Sequence, residues 1–202
     1  GARVYASDAA DTSELRGMAT NLRREGVDAE LGNHDLDRIG RASLLVTSPG
    51  VPPTADPIVH ARDRGVEIVG EVEIALRLMP KLRYIAITGT NGKTTTTALT
   101  AQLLTALGHR ASAAGNIGTP LSELALQPAP PQWVALEISS FQLHDTPSIA
   151  PRVGVLTNLS ANHLDRYERV EDYFADKALL FRNATVASNW VTNADDDAAQ
   201  AQ

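Results

Sequence analysis

Short apolar runs alternate along the chain with longer stretches whose apolar residues recur three and four positions apart. Such alternation predicts strands and helices in turn. In the first part, strands are expected at 3–6, 43–47 and 66–69, with helices from about 12 to 26, at 56–64 and at 71–78. Pro80 stops the last helix and sets a domain boundary near 80–84. Beyond it, strands are expected at 84–88, 110–113, 132–137, 152–157 and 190–193, with helices at 94–107 and 168–182. Strands separated by helices pair in parallel and are covered on both faces, so the expected fold class is α/β.

The junction between the strand at 84–88 and the next helix carries the strongest chemical signal. It reads Thr88-Gly89-Thr90-Asn91-Gly92-Lys93-Thr94-Thr95. Glycines let backbone N–H groups approach phosphate oxygens, and the N-terminus of the following helix favours negative charge. Lys93 can then reach β- and γ-phosphates, and the Thr94 hydroxyl can bind a magnesium ion. Only two residues separate the glycines, where the common phosphate loop has four. The second half of the chain is therefore read as a P-loop-type parallel-sheet ATPase domain.

Other strand ends carry polar groups, where ligands bind in open α/β sheets. Gly115-Asn116-Ile117-Gly118 is a tight turn from which Asn116 can reach a phosphate, although its glycines can also be turn chemistry alone. The apolar strand at 132–137 ends in Glu137, which is either placed to help bind Mg²⁺ or a solvated glutamate at a strand exit, followed by Ser139. The next strand leads to His163, a lone histidine that gains weight only from its place after a strand of the same sheet. On the helix from 168, Lys177 shares a stripe with Val170, Phe174 and Phe181. Such a lysine either snorkels outward or is held against apolar surface, where its pKa falls. A neutral amine there can take up CO₂ as a carbamate whose oxygens bind metal. His34, His60, His109 and His144 lack any supporting constellation and are read as surface residues, while Trp133, Trp190 and Tyr173 are read as core.

Composition narrows the class. With 43% apolar and 21% charged residues, the 202-residue chain can build a real core of one large or two small domains. A formal charge of −6 argues against a nucleic-acid partner. No cysteine occurs, which excludes disulfides and thiolate sites. No apolar run is long enough to cross a bilayer, so no membrane insertion is expected and a cytoplasmic enzyme fits best.

Together these motifs resemble one family. The loop at 88–95, with its shortened glycine spacing, resembles the ATP loop of the Mur ligases, ATP-dependent amide-forming enzymes of peptidoglycan precursor synthesis. Gly115-Asn116-Ile117-Gly118, the run from Leu136 to Leu143 and His163-Leu164-Asp165-Arg166 look most like its D-glutamate-adding branch. Ser48-Pro49-Gly50-Val51-Pro52 and the run from Gly65 to Glu71 resemble the UDP-binding domain of that branch. One departure is Asn162, where the family often has aspartate.

The resemblance implies ATP and Mg²⁺ as cofactors, with Mn²⁺ able to substitute, and UDP-linked muramoyl-alanine and D-glutamate as substrates of a monomer. Gly89, Thr90, Asn91, Gly92, Lys93, Thr94 and Thr95 would hold the nucleotide. Thr94, Glu137, His163 and a carbamylated Lys177 would hold metal, with Lys93, His163 and Lys177 serving catalysis. Asp8, Ser48, Pro49, Gly50, Asn116 and Ser139 would line the path of the UDP-linked substrate. On this reading residues 1–82 form a partial Rossmann-like, UDP-substrate-binding domain and 83–202 a partial ATP-binding domain incomplete at its C-terminus. The C-terminal amino-acid-binding domain is expected to be absent, and the 202 residues alone to be catalytically incompetent. Other classes stay open: a sibling Mur or folylpolyglutamate-type ligase, a binding module, or a nucleotide switch. Thr192-Asn193-Ala194-Asp195 lacks the lysine that a guanine-reading switch would carry.

Overall fold

A computed structural model describes residues 2–160, 167 and 169–202. The described chain divides into two compact units at Ile68/Val69, with residues 46–50 grouping with the second. The helix at 71–78 therefore packs with the second unit, ahead of the boundary drawn at Pro80.

The first unit opens with β1 (Tyr5–Asp8), α1 (Ser13–Arg24) and β2 (Asp28–Leu31). Thr12 caps α1 by accepting from Leu15 N at 3.2 Å, and β1 pairs in parallel with β2 from Tyr5↔Asp28 to Asp8↔Leu31. Tyr5 ties the two strands to the turn at Asp35: its hydroxyl donates to Glu30 at 2.5 Å and accepts from Asp35 N at 2.8 Å. Next come α2 (Leu36–Ile39), β3 (Leu44–Thr47), α3 (Asp56–Asp63) and β4 (Glu67–Gly70), β3 pairing with β4.

The second unit contains α4 (Glu71–Leu78), β5 (Arg83–Thr88), α5 (Lys93–Ala106), β6 (Ala111–Gly115), α6 (Leu121–Ala125), β7 (Trp133–Glu137) and α7 (Ser140–His144). It continues through β8 (Val153–Leu156), α8 (Val170–Ala178), a 3-10 turn (Leu179–Phe181), β9 (Asn189–Thr192) and α9 (Asp197–Gln200). Among the described residues its sheet runs β6-β7-β5-β8-β9, with every pairing parallel. Strand β7, interior between β6 and β5, is buried from Val134 to Glu137, as a sheet covered on both faces requires. The core joins Val72 and Leu76 of α4 to Tyr84, Leu121, Leu136 and Leu143.

The structure corrects several expectations. β1 lies two residues later than the expected 3–6, and β2, α2, α6, α7 and α9 are additional to the expected elements. The helix expected over 168–182 is α8 followed by the 3-10 turn. Its fully buried stripe is Tyr173–Lys177–Leu180, whereas Val170, Phe174 and Phe181 are half-buried. The two sets share Lys177 and differ elsewhere because packing against α7 and the 3-10 turn, not the spacing of the phenylalanines, decides which face of α8 is covered. His34 and His60 are half-buried: His34 shares a hydrogen bond of 2.8 Å with Ser7 Oγ, and His60 Nε2 is covered.

Candidate functional site

The loop between β5 and α5 is shaped by two glycines with different duties. Gly89 has φ +142°, and a Cβ there would stand 2.0 Å from Thr157 Oγ1, so the loop can approach the exit of β8 only without a side chain. Gly92 is left-handed at φ +80° and forms the N-cap of α5. No side chain caps α5 among the described residues, and its first turn carries no acid. The helix thus presents unpartnered N–H groups and the positive end of its dipole toward the loop. Lys93 Nζ lies across the loop, donating to the carbonyls of Gly89 at 3.0 Å and Thr90 at 2.9 Å. Thr94 and Thr95 are exposed on the same first turn.

The end of β8 clamps this loop. Thr90 N donates to Asn158 O at 2.9 Å. The Asn158 side chain grips the peptides on either side of the Asn91 Cα, accepting from Asn91 N and donating to Asn91 O, each at 2.9 Å. Thr157 Oγ1 adds a bond to Asn91 O at 2.7 Å. Thr90 Oγ1 exchanges hydrogen bonds with the Ser160 backbone at 3.0 and 3.1 Å and accepts from Tyr173 OH at 3.3 Å. Thr157, Asn158 and Tyr173 are site residues that sequence reasoning misses. The polar pair at the end of the 152–157 strand is the available signal, but its value depends on β8 lying beside β5.

Lys177 turns inward. It is 1% exposed, with Nζ 3.4 Å from Thr88 Oγ1 and 4.7 Å from the centre of the Tyr173 ring. Burial first and the Lys93 charge second lower its pKa to about 7, with Asp176 partly opposing them. An ammonium with these neighbours gives up its proton near neutrality and becomes nucleophilic.

Glu137 ends β7, next to Ile87 of β5, and is also 1% exposed. The turn after β6 wraps it: Asn116 Nδ2 donates to Glu137 Oε1 at 3.0 Å and Asn116 N donates to Glu137 O at 2.9 Å. Gly115, at φ +113°, allows this contact, because a Cβ there would lie 2.1 Å from Glu137 O. Ser139 is the N-cap of α7, in a reciprocal capping box with Gln142. Its hydroxyl accepts from Gln142 N at 3.2 Å and donates to Gln142 Oε1 at 3.1 Å.

The structure thus brings Gly89–Thr95, Glu137, Asn116 and Lys177 to the carboxyl edge of one parallel sheet, where open α/β folds bind ligands. Asp8 belongs to the first unit, where Oδ1 accepts from Ala10 N at 2.8 Å. Ser48, Pro49 and Gly50 form the turn after β3, where Ser48 O accepts from Thr47 Oγ1 at 3.3 Å. His163 lies outside the described residues, as does Asn162. Among the described residues no three His, Asp or Glu side chains gather as a metal cluster. The oxygen donors of Thr94 and Glu137 nevertheless suit a hard cation, and the uncapped α5 N-terminus suits a polyphosphate.

Residues 87–202 match the family described as Mur ligase middle domain, and residues 2–70 match Mur ligase MurD-like, N-terminal domain. The chain is 44% identical over 193 residues to a UDP-N-acetylmuramoylalanine--D-glutamate ligase of Desulfatibacillum aliphaticivorans. That match covers 96% of this chain and 43% of the relative. A protein of the same name from Pelobacter propionicus is 43% identical over 197 residues, covering 98% and 44%. The chain therefore spans under half the length of these relatives. A solved structure of UDP-N-acetylmuramate:L-alanyl-gamma-D-glutamyl-meso-diaminopimelate ligase from Neisseria meningitides has a similar fold, with a TM-score of 0.62 at 18% identity. It covers 98% of this chain and 65% of that one.

Proposed function

The chain belongs to the Mur ligase family, and we propose that it is the UDP-substrate-binding and ATP-binding part of a ligase that adds D-glutamate to UDP-N-acetylmuramoyl-L-alanine. The names of the relatives support the substrates, and the two family matches support the division of labour. The observation that carries the chemistry is the inward Lys177, 3.4 Å from the hydroxyl at the foot of the phosphate loop.

In this reading the first unit, with Asp8, and the turn at Ser48, Pro49 and Gly50 hold the UDP end of the substrate. Gly89–Thr95 and the α5 N-terminus hold the triphosphate, and Lys93 leaves the loop carbonyls for the β- and γ-phosphate oxygens. Its charge offsets the negative charge that spreads over the transferring phosphoryl group. The alanine carboxylate attacks the γ-phosphorus, ADP leaves, and the resulting acyl phosphate has the leaving group that a carboxylate lacks. The D-glutamate amine then attacks the acyl carbon, phosphate departs, and the amine proton is lost. Mg²⁺, with Mn²⁺ as a substitute, would add Lewis-acid neutralisation of phosphate charge, held by Thr94, Glu137, His163 and a carbamate on Lys177. Lys177 forms that carbamate when its neutral nitrogen bonds to CO₂ and sheds a proton. Asn116, with one face of its amide on Glu137, orients that carboxylate and leaves its other face for the substrate diphosphate, while Ser139 holds α7 beside it. The whole protein acts in the cytoplasm as a monomer.

The test is Lys93→Ala in the longer protein. ATP turnover should vanish while thermal stability stays nearly unchanged, because the ammonium faces the loop mouth and not the core. Turnover like wild type would remove this loop from the reaction. The 202-residue chain alone should yield no amide product.

A further inference from the structure

The edge of the second unit's sheet opposite the candidate site has a chemistry of its own. Five connections feed the amino ends of its strands: residues 79–82, 107–110, 126–132, 145–152 and 182–188. Asp145 is the one acidic residue among them, although the whole chain carries a net charge of −6. Together with Arg83, the first residue of β5, they contribute Lys81, Arg110, Arg152 and Arg182, all exposed. Backbone pairing sets three of these in a row, since Arg110 O accepts from Trp133 N, Arg83 pairs with Trp133, and Arg152 N donates to Tyr84 O. Among the described residues none of the five cations has a carboxylate within ion-pair distance. Glu73 reaches this edge to hold Ser148, but it is buried and paired with Arg77, and Asp145 opens the fourth connection as the C-cap of α7.

Apolar side chains stand on the same rim. Leu78, Leu107, Leu126 and Val186 are 61%, 74%, 80% and 109% exposed, the four most exposed large apolar residues among those described. Each sits at the end of a helix or in a loop that leads into a strand. They stand singly at separate connections. Apolar tips interspersed with cations and poor in carboxylates fit a fluid anionic surface, which needs no shape complementarity.

We infer that this edge is a docking surface for an anionic phospholipid bilayer. The cations face the headgroups, and Leu107, Leu126 and Val186 enter the interface. The carboxyl edge, with the phosphate loop, then faces away from the membrane and stays open to solutes. Adsorption of this kind needs no spanning helix, and among the described residues no helix is long and apolar enough to cross a membrane. The charges of the rest of the chain do not prevent it, because repulsion beyond about 10 Å is screened at moderate salt.

The experiment is co-sedimentation of the 202-residue chain with vesicles of phosphatidylcholine alone or mixed equally with phosphatidylglycerol. Binding should appear only with the mixed vesicles and weaken in high salt. Replacing Arg83, Arg110 and Arg152 by glutamine should lower partitioning by roughly fivefold per cation, about a hundredfold in all. A control with Arg24→Gln, Arg41→Gln and Arg64→Gln has the same net charge and should bind like wild type. Leu107→Ser with Leu126→Ser should weaken binding without changing its salt dependence, and melting curves report whether each variant is folded. No binding to the mixed vesicles, or equal loss in both arginine triples, overturns the inference. Binding of an acidic protein at this edge without vesicle binding would do so as well.

Discussion

An ammonium withdrawn from water at Lys177 loses hydration that a threonine hydroxyl and the face of Tyr173 replace only in part, and Lys93 adds repulsion. The folded protein therefore prefers the neutral amine, with a pKa near 7 against an ordinary 10.5. Between those values the unfolded chain carries a proton that the folded chain does not, so stability rises with pH across the window. Below pH 7 both states are protonated and the full penalty applies. Lys177→Met, which keeps the length without the charge, should therefore stabilise the chain at pH 6, by about 2 kcal/mol after loss of the Thr88 contact. The advantage should shrink steadily toward pH 10, as read from urea denaturation at several pH values. A difference that does not move with pH would mean that Lys177 stays charged in the folded protein.

At the scale of elements, the phosphate loop is held by its neighbour β8 as much as by its own glycines. Asn158→Ala removes both grips on the Asn91 backbone at a solvent-facing site, so stability should fall by only about 1 kcal/mol. ATP binding, followed by calorimetry, should weaken about tenfold, because the loop N–H groups lose their fixed direction. Gly89→Ala is a different kind of change. Its Cβ would collide with Thr157 Oγ1 at a φ that side chains rarely adopt, and thermal melting should show a loss of roughly 3 kcal/mol or more. The glycines and Lys93 are legible in the sequence because their spacing is local. Asn158 is not, since its meaning comes from strand order, which no local pattern encodes. β2 escapes a pattern reading because Asp28-Ala29-Glu30-Leu31 has no apolar run and becomes a strand through pairing with β1. In α7 the signal is present and has a second meaning: Ser139 and Gln142 stand three apart as a capping box, which gives the serine a structural duty beside the substrate role that the resemblance implies.

At the scale of the whole molecule, the placement of α4 decides where the second unit begins. Pro80 suggests that the unit starts after this helix, yet Val72, Ala75 and Leu76 are buried in the same core as Tyr84, Leu121 and Leu136. Polar ties reinforce the packing. Glu73 accepts from Ser148 N and Oγ at 2.9 and 2.8 Å, and Glu71 accepts from the N-terminal turn of α6. Burying Val72 and Leu76 is worth about 1.5–3 kcal/mol each, with less from Ala75. Their sum approaches the roughly 5–15 kcal/mol that holds a whole domain folded. A chain starting at Val69 should therefore melt cooperatively, whereas one starting at Arg83 should lose most of its transition. The shorter chain would also leave Ser148 N and Oγ without their acceptor on Glu73, and the face of Leu121 that α4 covers open to water. Circular dichroism melts of the two chains decide the point. Equal cooperativity and midpoint in both would show that α4 is an appendage and that the second unit begins at β5.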